Sequence, residues 1–112
     1  MKIGIDIIKI ARFENKSEMF NNRMFTENER TYIASKANQA QTAAGIFAAK
    51  EALAKAIGSG LTWDLLAAEV THDEHGAPYF INLSDDINAI LSISHDDDTA
   101  VAVVLVSSKN TM

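Results

Sequence analysis

The chain has 112 residues, 47% of them apolar and 22% charged, with a formal net charge of −5 at pH 7, which is the make-up of one ordinary globular domain over residues 1–112 and too acidic for general nucleic-acid binding. It has no cysteine, which excludes a disulfide scaffold, thiolate metal sites and a cysteine nucleophile and fits a reducing cytoplasm. Its longest apolar runs, residues 43–49 and 100–106, fall far short of the roughly 20 residues a bilayer-crossing helix needs.

Residues 3–10 are apolar and β-branched, interrupted by Gly4, Asp6 and Lys9, and predict a strand that places Asp6 beside other structure. The charges of Asp6, Lys9 and Arg12 also break any secretory-signal core. Residues 12–21 predict a short helix. Thr26 and Glu29 have the spacing of a capping box, which predicts a second helix over residues 27–36. The alanine-rich stretch 38–57, opened by Asn38 and closed by Gly58 and Gly60, predicts one long helix. Residues 66–72 and 78–83 flank Asp73, Glu74, His75, Gly76 and Ala77 and predict a β-hairpin. Ser84 is placed to cap a helical turn through Ile90. Residues 91–95 and 99–106 predict two strands joined by Asp96, Asp97 and Asp98. With helices in the first half and strands gathered at the end, the expected class is α+β, a mostly antiparallel sheet packed with one long helix and shorter ones.

Charge is unevenly spread. Residues 1–36 hold seven bases and five acids, a balance of +2, and the rest hold three bases and ten acids, a balance of −7. A basic amino-terminal segment on an acidic body suits an acidic protein partner. On the long helix Glu51 and Lys55 form an i, i+4 pair. Most such pairs are surface ion pairs contributing about 0.3 to 0.5 kcal/mol. Here they follow the apolar run 43–49, so they emerge from a helix buried along much of its length. Projected toward Asp6, they offer two carboxylates for Mg²⁺ and one ammonium for phosphate oxygens. Asp6 itself, inside an apolar strand, requires a charge partner or backbone N–H donors. His95 ends its strand beside the acidic turn.

The segments Gly4-Ile5-Asp6 with Arg12-Phe13, then Phe47-Ala48-Ala49-Lys50-Glu51-Ala52 with Lys55 and Gly58, then Ile93-Ser94-His95, with Met24-Phe25-Thr26 and Glu29 between, resemble the holo-acyl-carrier-protein synthases. These are the small bacterial 4′-phosphopantetheinyl transferases, and the resemblance spans nearly the whole chain. It implies transfer of phosphopantetheine from coenzyme A to a serine of apo acyl carrier protein, with release of adenosine 3′,5′-bisphosphate. It implies Asp6 and Glu51 as ligands of Mg²⁺, Lys55 at the phosphates, and Asp6, Glu51 and Lys55 together as the catalytic set. His95 falls on the nucleotide side with Lys36 and Lys50, and Arg12 at the docking site of the acidic carrier helix, a patch that Lys9, Lys16 and Arg23 would enlarge. A homotrimer with sites between subunits is also implied. Two departures stand out. Ile46 occupies a position that is commonly arginine in the family, and the usually basic stretch before the long helix retains only Lys36, leaving Lys50 or a neighbouring subunit to compensate.

Two rival readings come from other classes. His72, Asp73, Glu74 and His75 contain the ligand types of a metal-binding or metallohydrolase site, although a hairpin loop also gathers solvated charges. A noncatalytic trimeric module docking acidic helices through Arg12 would leave Asp6, Glu51 and Lys55 without a use. The last strand, apolar on both faces, predicts a subunit contact through Val101 or Val103.

Overall fold

The computed structural model describes residues 1–108. Strand β1 (Lys2–Lys9) runs into a single 3₁₀ turn (Ile10–Phe13), followed by α1 (Glu18–Met24), α2 (Glu27–Ala34) and the long α3 (Gln39–Ile57). A short α4 (Trp63–Ala67) precedes the hairpin β2 (Glu69–His72) and β3 (Pro78–Ile81), and β4 (Ile87–Asp96) and β5 (Thr99–Ser108) follow. The strands β1, β5 and β4 form one antiparallel sheet in that order, with β1 and β4 at its edges; β2 and β3 pair separately. No helix among the described residues is long and apolar enough to cross a membrane.

Alternation along β5 decides which face is covered. Ala100, Ala102, Val104 and Val106 are buried under α3, whereas Val101, Val103 and Leu105 are only half-buried on the other face. Beside them on that face Ile3, Ile5, Ile7 and Ile90 are exposed. The covered face is lined by small residues on both sides, since Ala44, Ala48, Ala49 and Ala52 of α3 are fully buried. This lets helix and sheet backbones approach closely. At Gly4 the approach becomes an absolute requirement: a Cβ there would lie 1.9 Å from the carbonyl oxygen of Ala52 and 2.8 Å from the nitrogen of Ala56.

The capping box of α2 is present, with Thr26 and Glu29 each accepting from the other's backbone N–H, and α3 is capped by Asn38 and ends at Gly58 in the left-handed region. Three expectations need correction. The helix expected over residues 12–21 is split, because Asn15 adopts a positive φ of 63° and Ser17 caps a new helix by accepting from Phe20 N–H. Helix α4, started by a Thr62 cap, lies where the first hairpin strand was expected to begin, so β2 is the shorter. The helical turn from Ser84 to Ile90 is instead one hydrogen-bonded turn, Ile87 N–H to Ser84 carbonyl at 3.0 Å, leading straight into β4. Ile87, Ala89, Leu91 and Ile93 alternate with the more exposed Asn88, Ile90, Ser92 and Ser94, and the whole run pairs along β5, which outweighs a local cap.

Candidate active site

The carboxyl-terminal end of α3 crosses the edge strand β1, and the close approach at Gly4 sets the height at which it crosses. Two residues on, Asp6 faces the helix from the sheet. Lys55 Nζ lies 3.1 Å from Asp6 Oδ1 and also donates to the Ile5 carbonyl oxygen at 3.0 Å. The Asp6 side chain is 15% exposed and that of Lys55 55% exposed, so the lysine head lies at the mouth of the site and the carboxylate inside it. Glu51, one turn before Lys55, is half-buried; burial first and the Asp6 charge second push its carboxyl above the ordinary range, while Lys55 and Arg12 oppose the shift. Thus Asp6, Glu51, Lys55 and Arg12 share one electrostatic neighbourhood, built by β1, the 3₁₀ turn and α3.

This donor set fits Mg²⁺. No group of three or more His, Asp or Glu side chains among the described residues is placed to hold a metal ion. Two carboxylates meet the need of Mg²⁺, which retains waters and takes its remaining oxygens from substrate phosphates. A hollow of about 470 Å³ lies between α1, α2 and the start of α3, lined by Phe13, Lys16, Phe25, Arg30 and Ala40.

His95 is on the opposite edge of the sheet. Its ring is in hydrogen-bond contact with the Gln41 side chain at the start of α3, whereas Lys55 reaches Asp6 from the end of that helix; the 14 residues between Gln41 and Lys55 span roughly 21 Å of helix axis. Around His95 a hollow of about 180 Å³ is lined by Tyr32, Gln41, Ile46, His72 and Ile93, among others. The Tyr32 and His72 rings stack with centroids 3.9 Å apart, and the Lys36 ammonium sits 4.6 Å from the Tyr32 centroid. Burial and the Lys36 charge hold the His72 imidazole below its ordinary value, so it is neutral near pH 7, and its buried Nδ1 has no hydrogen-bond partner. Ile46, in the position commonly arginine, is buried and supplies an apolar wall here. One chain therefore places its carboxylate cluster and its histidine-lined hollow at opposite edges of its sheet.

Lys50 was expected beside coenzyme A and is instead sealed inside the protein. Its side chain is fully buried, its Nζ is 2.6 Å from Glu29 Oε1, and it donates to the carbonyl oxygens of Leu66 at 2.9 Å and Met24 at 3.3 Å. Burial pushes this ammonium down and Glu29 opposes the shift. The other Glu29 oxygen accepts from Val70 N–H, and Glu69 accepts from Thr26 and Asn28. Lys50 thus pins α1, α2, α4 and β2 to α3. A helix with one face on a sheet and another under α2 has no free side left for a residue pointing inward, which the linear motif does not display.

On the amino-terminal side, Arg12 is exposed at the end of the 3₁₀ turn. Lys9 is paired with Asp98 at 2.9 Å, and Lys16 sits 4.8 Å above the Phe20 ring. Arg23 lies in the last turn of α1. Between Lys16 and Arg23, Met19 is 72% exposed. In the hairpin, Asp73 accepts from the N–H groups of His75 and Ala77 and so forms the turn; His72 is committed to the Tyr32 stack.

Residues 2–104 match the family model described as the 4′-phosphopantetheinyl transferase superfamily. The chain is 38% identical to the holo-acyl-carrier-protein synthase of Caldicellulosiruptor saccharolyticus, covering 96% of each protein, and 40% identical to that of Clostridium botulinum, covering 93% of this chain and 94% of the relative. It also superposes on the holo-acyl-carrier-protein synthase of Bacillus anthracis in complex with CoA (3′,5′-ADP), with a TM-score of 0.84 and 40% identity over 96% of this chain and 95% of that one. The Helicobacter pylori synthase in complex with coenzyme A gives a TM-score of 0.80 and 34% identity, over 94% of this chain and 99% of that one. On sequence and fold alike, the chain belongs to the 4′-phosphopantetheinyl transferase superfamily.

Proposed function

We propose that this protein is a holo-acyl-carrier-protein synthase that transfers 4′-phosphopantetheine from coenzyme A to a serine of apo acyl carrier protein. The observation that carries the reading is the Asp6–Lys55–Glu51 cluster, two carboxylates and an ammonium gathered where α3 crosses the edge of the sheet. Mg²⁺ held by Asp6 and Glu51 would neutralise pyrophosphate charge. The serine oxygen attacks the phosphorus that carries pantetheine, a new P–O bond forms, and the pyrophosphate P–O bond breaks to release adenosine 3′,5′-bisphosphate. Lys55 faces the departing phosphate and offsets its growing charge. The serine proton passes to a carboxylate of the cluster or to a water ordered there. Burial and the Asp6 charge raise the proton affinity of Glu51, which suits it to that role.

The nucleotide half of coenzyme A is assigned to the hollow bounded by Tyr32, His72 and His95, with Lys36 at its rim. Because that hollow and the carboxylates lie at opposite edges of one sheet, a complete site requires a second copy. The uncovered face formed by Ile3, Ile5, Ile7, Ile90, Val101, Val103 and Leu105 supplies a reason to associate. We assign the assembly as a homotrimer on the family resemblance, and Arg12, with Lys9, Lys16 and Arg23, as the surface facing an acidic carrier helix. The protein is assigned to the cytoplasm, where its substrates are. Intact mass spectrometry of apo acyl carrier protein incubated with this protein, coenzyme A and Mg²⁺ is the test: a mass gain of one phosphopantetheine group is expected, and an unmodified carrier would refute the activity.

A further inference from the structure

We infer that Lys55 is the resident counter-ion of the two carboxylates and exchanges places with the divalent cation, leaving Asp6 when the metal arrives and so becoming available to the phosphates. The inference rests on the proposed two-carboxylate site. In this structure Lys55 Nζ spans two acceptors on β1, Asp6 Oδ1 at 3.1 Å and the Ile5 carbonyl at 3.0 Å. It therefore holds one of the two Asp6 carboxylate oxygens. An ammonium and a divalent cation repel at contact distance, so a metal on the same carboxylate weakens the hold of Lys55. Asp6 is only 15% exposed, so hydration compensates its charge incompletely when the lysine leaves, and arrival of a second positive charge favours the departure of the first.

The means of departure is also visible. Lys55 stands in the last turn of α3, its side chain is 55% exposed, and Gly58 ends the helix just beyond it. Its four-carbon stem can swing outward without moving the backbone. One residue thus serves two anions in turn, which couples metal binding to phosphate binding reciprocally.

Calorimetric titration with Mn²⁺, without coenzyme A, tests the exchange. Lys55→Gln removes the competitor and is expected to tighten Mn²⁺ binding by roughly two- to fivefold, the scale of one partly exposed ion pair. Lys55→Arg keeps a cation on Asp6 and should stay close to wild type, and Arg12→Gln, which removes a charge near Glu51 without vacating Asp6, should change affinity far less than Lys55→Gln. Inorganic pyrophosphate should gain more from added Mn²⁺ in wild type than in Lys55→Gln. Unchanged or weaker Mn²⁺ binding in Lys55→Gln, or an equal gain in Arg12→Gln, overturns the exchange while leaving the metal site standing, provided Asp6→Asn still abolishes the titration. Absence of Mn²⁺ binding in wild type and Lys55→Gln alike overturns the metal assignment itself.

Discussion

A carboxylate facing inward from an apolar strand disfavours the fold unless something answers its charge, and at Asp6 the answer is Lys55. Asp6→Ala and Glu51→Ala should each stay folded, judged by circular dichroism, and lose roughly 10²-fold or more in turnover, as for removal of one preorganised electrostatic group. Near wild-type turnover in either at saturating Mg²⁺ would remove that residue from the site. Arg12 lies close enough to Glu51 for its charge to act there, so its variant discriminates between two positions. Arg12→Glu is expected to raise KM for the carrier protein much more than KM for coenzyme A, and steady-state kinetics should show the effect shrinking as salt rises, over a Debye length of about 8 Å at physiological ionic strength. Equal changes in both KM values would place Arg12 at the nucleotide. Asp6, Glu51 and Lys55 were legible in the sequence because a charge in an apolar strand and a charged pair after an apolar helical run both violate the local pattern. The Tyr32–His72 stack was not, since no spacing rule joins residues 40 apart that meet only when α2 packs on the hairpin.

Among the elements, α3 is the one the sequence displayed most completely, through its alanines, its Asn38 cap and its glycine end. What the linear motif could not display was the direction of each charge along it. Glu51 and Lys55 open toward β1, whereas Lys50, adjacent to Glu51, turns into the junction of α1, α2, α4 and β2. The capping residue Glu29 has a double task for the same reason: it closes the first turn of α2 and neutralises Lys50. Lys50→Ala strands the Glu29 charge in the interior and is expected to cost about 3–5 kcal/mol of stability, read from denaturant unfolding. Replacing both partners by apolar residues of similar volume, Lys50→Met with Glu29→Leu, should recover much of that pair energy, although the Thr26 and Val70 N–H groups would lose their acceptor. A Lys50→Ala protein of wild-type stability would contradict the account. The misplaced strand boundary at β4 has a related cause: Ser84 signals a helix start locally, but the ladder to β5 decides the outcome.

At the scale of the molecule, the uncovered sheet face should be a subunit contact. Val103→Asp places a charge in the middle of it and is expected to reduce a species of about three chain masses to monomers in sedimentation equilibrium, with loss of activity; a fully active monomer at micromolar concentration would sink the shared-site reading. The separation of Asp6 and His95 to opposite edges of the sheet carries a genetic consequence. In the proposed homotrimer an Asp6→Ala chain and a His95→Ala chain would each be defective at every interface of their own ring, yet a mixed ring would contain one junction where the intact edge of each meets the other. Co-refolded in equal amounts, two nearly inactive proteins should regain roughly a quarter of the wild-type sites, the share expected for random assembly into closed rings of three. Double-defective chains carrying both changes should rescue neither parent, because the edge that each parent lacks is missing there too, so complementation between alleles becomes a direct reading of which edges face each other.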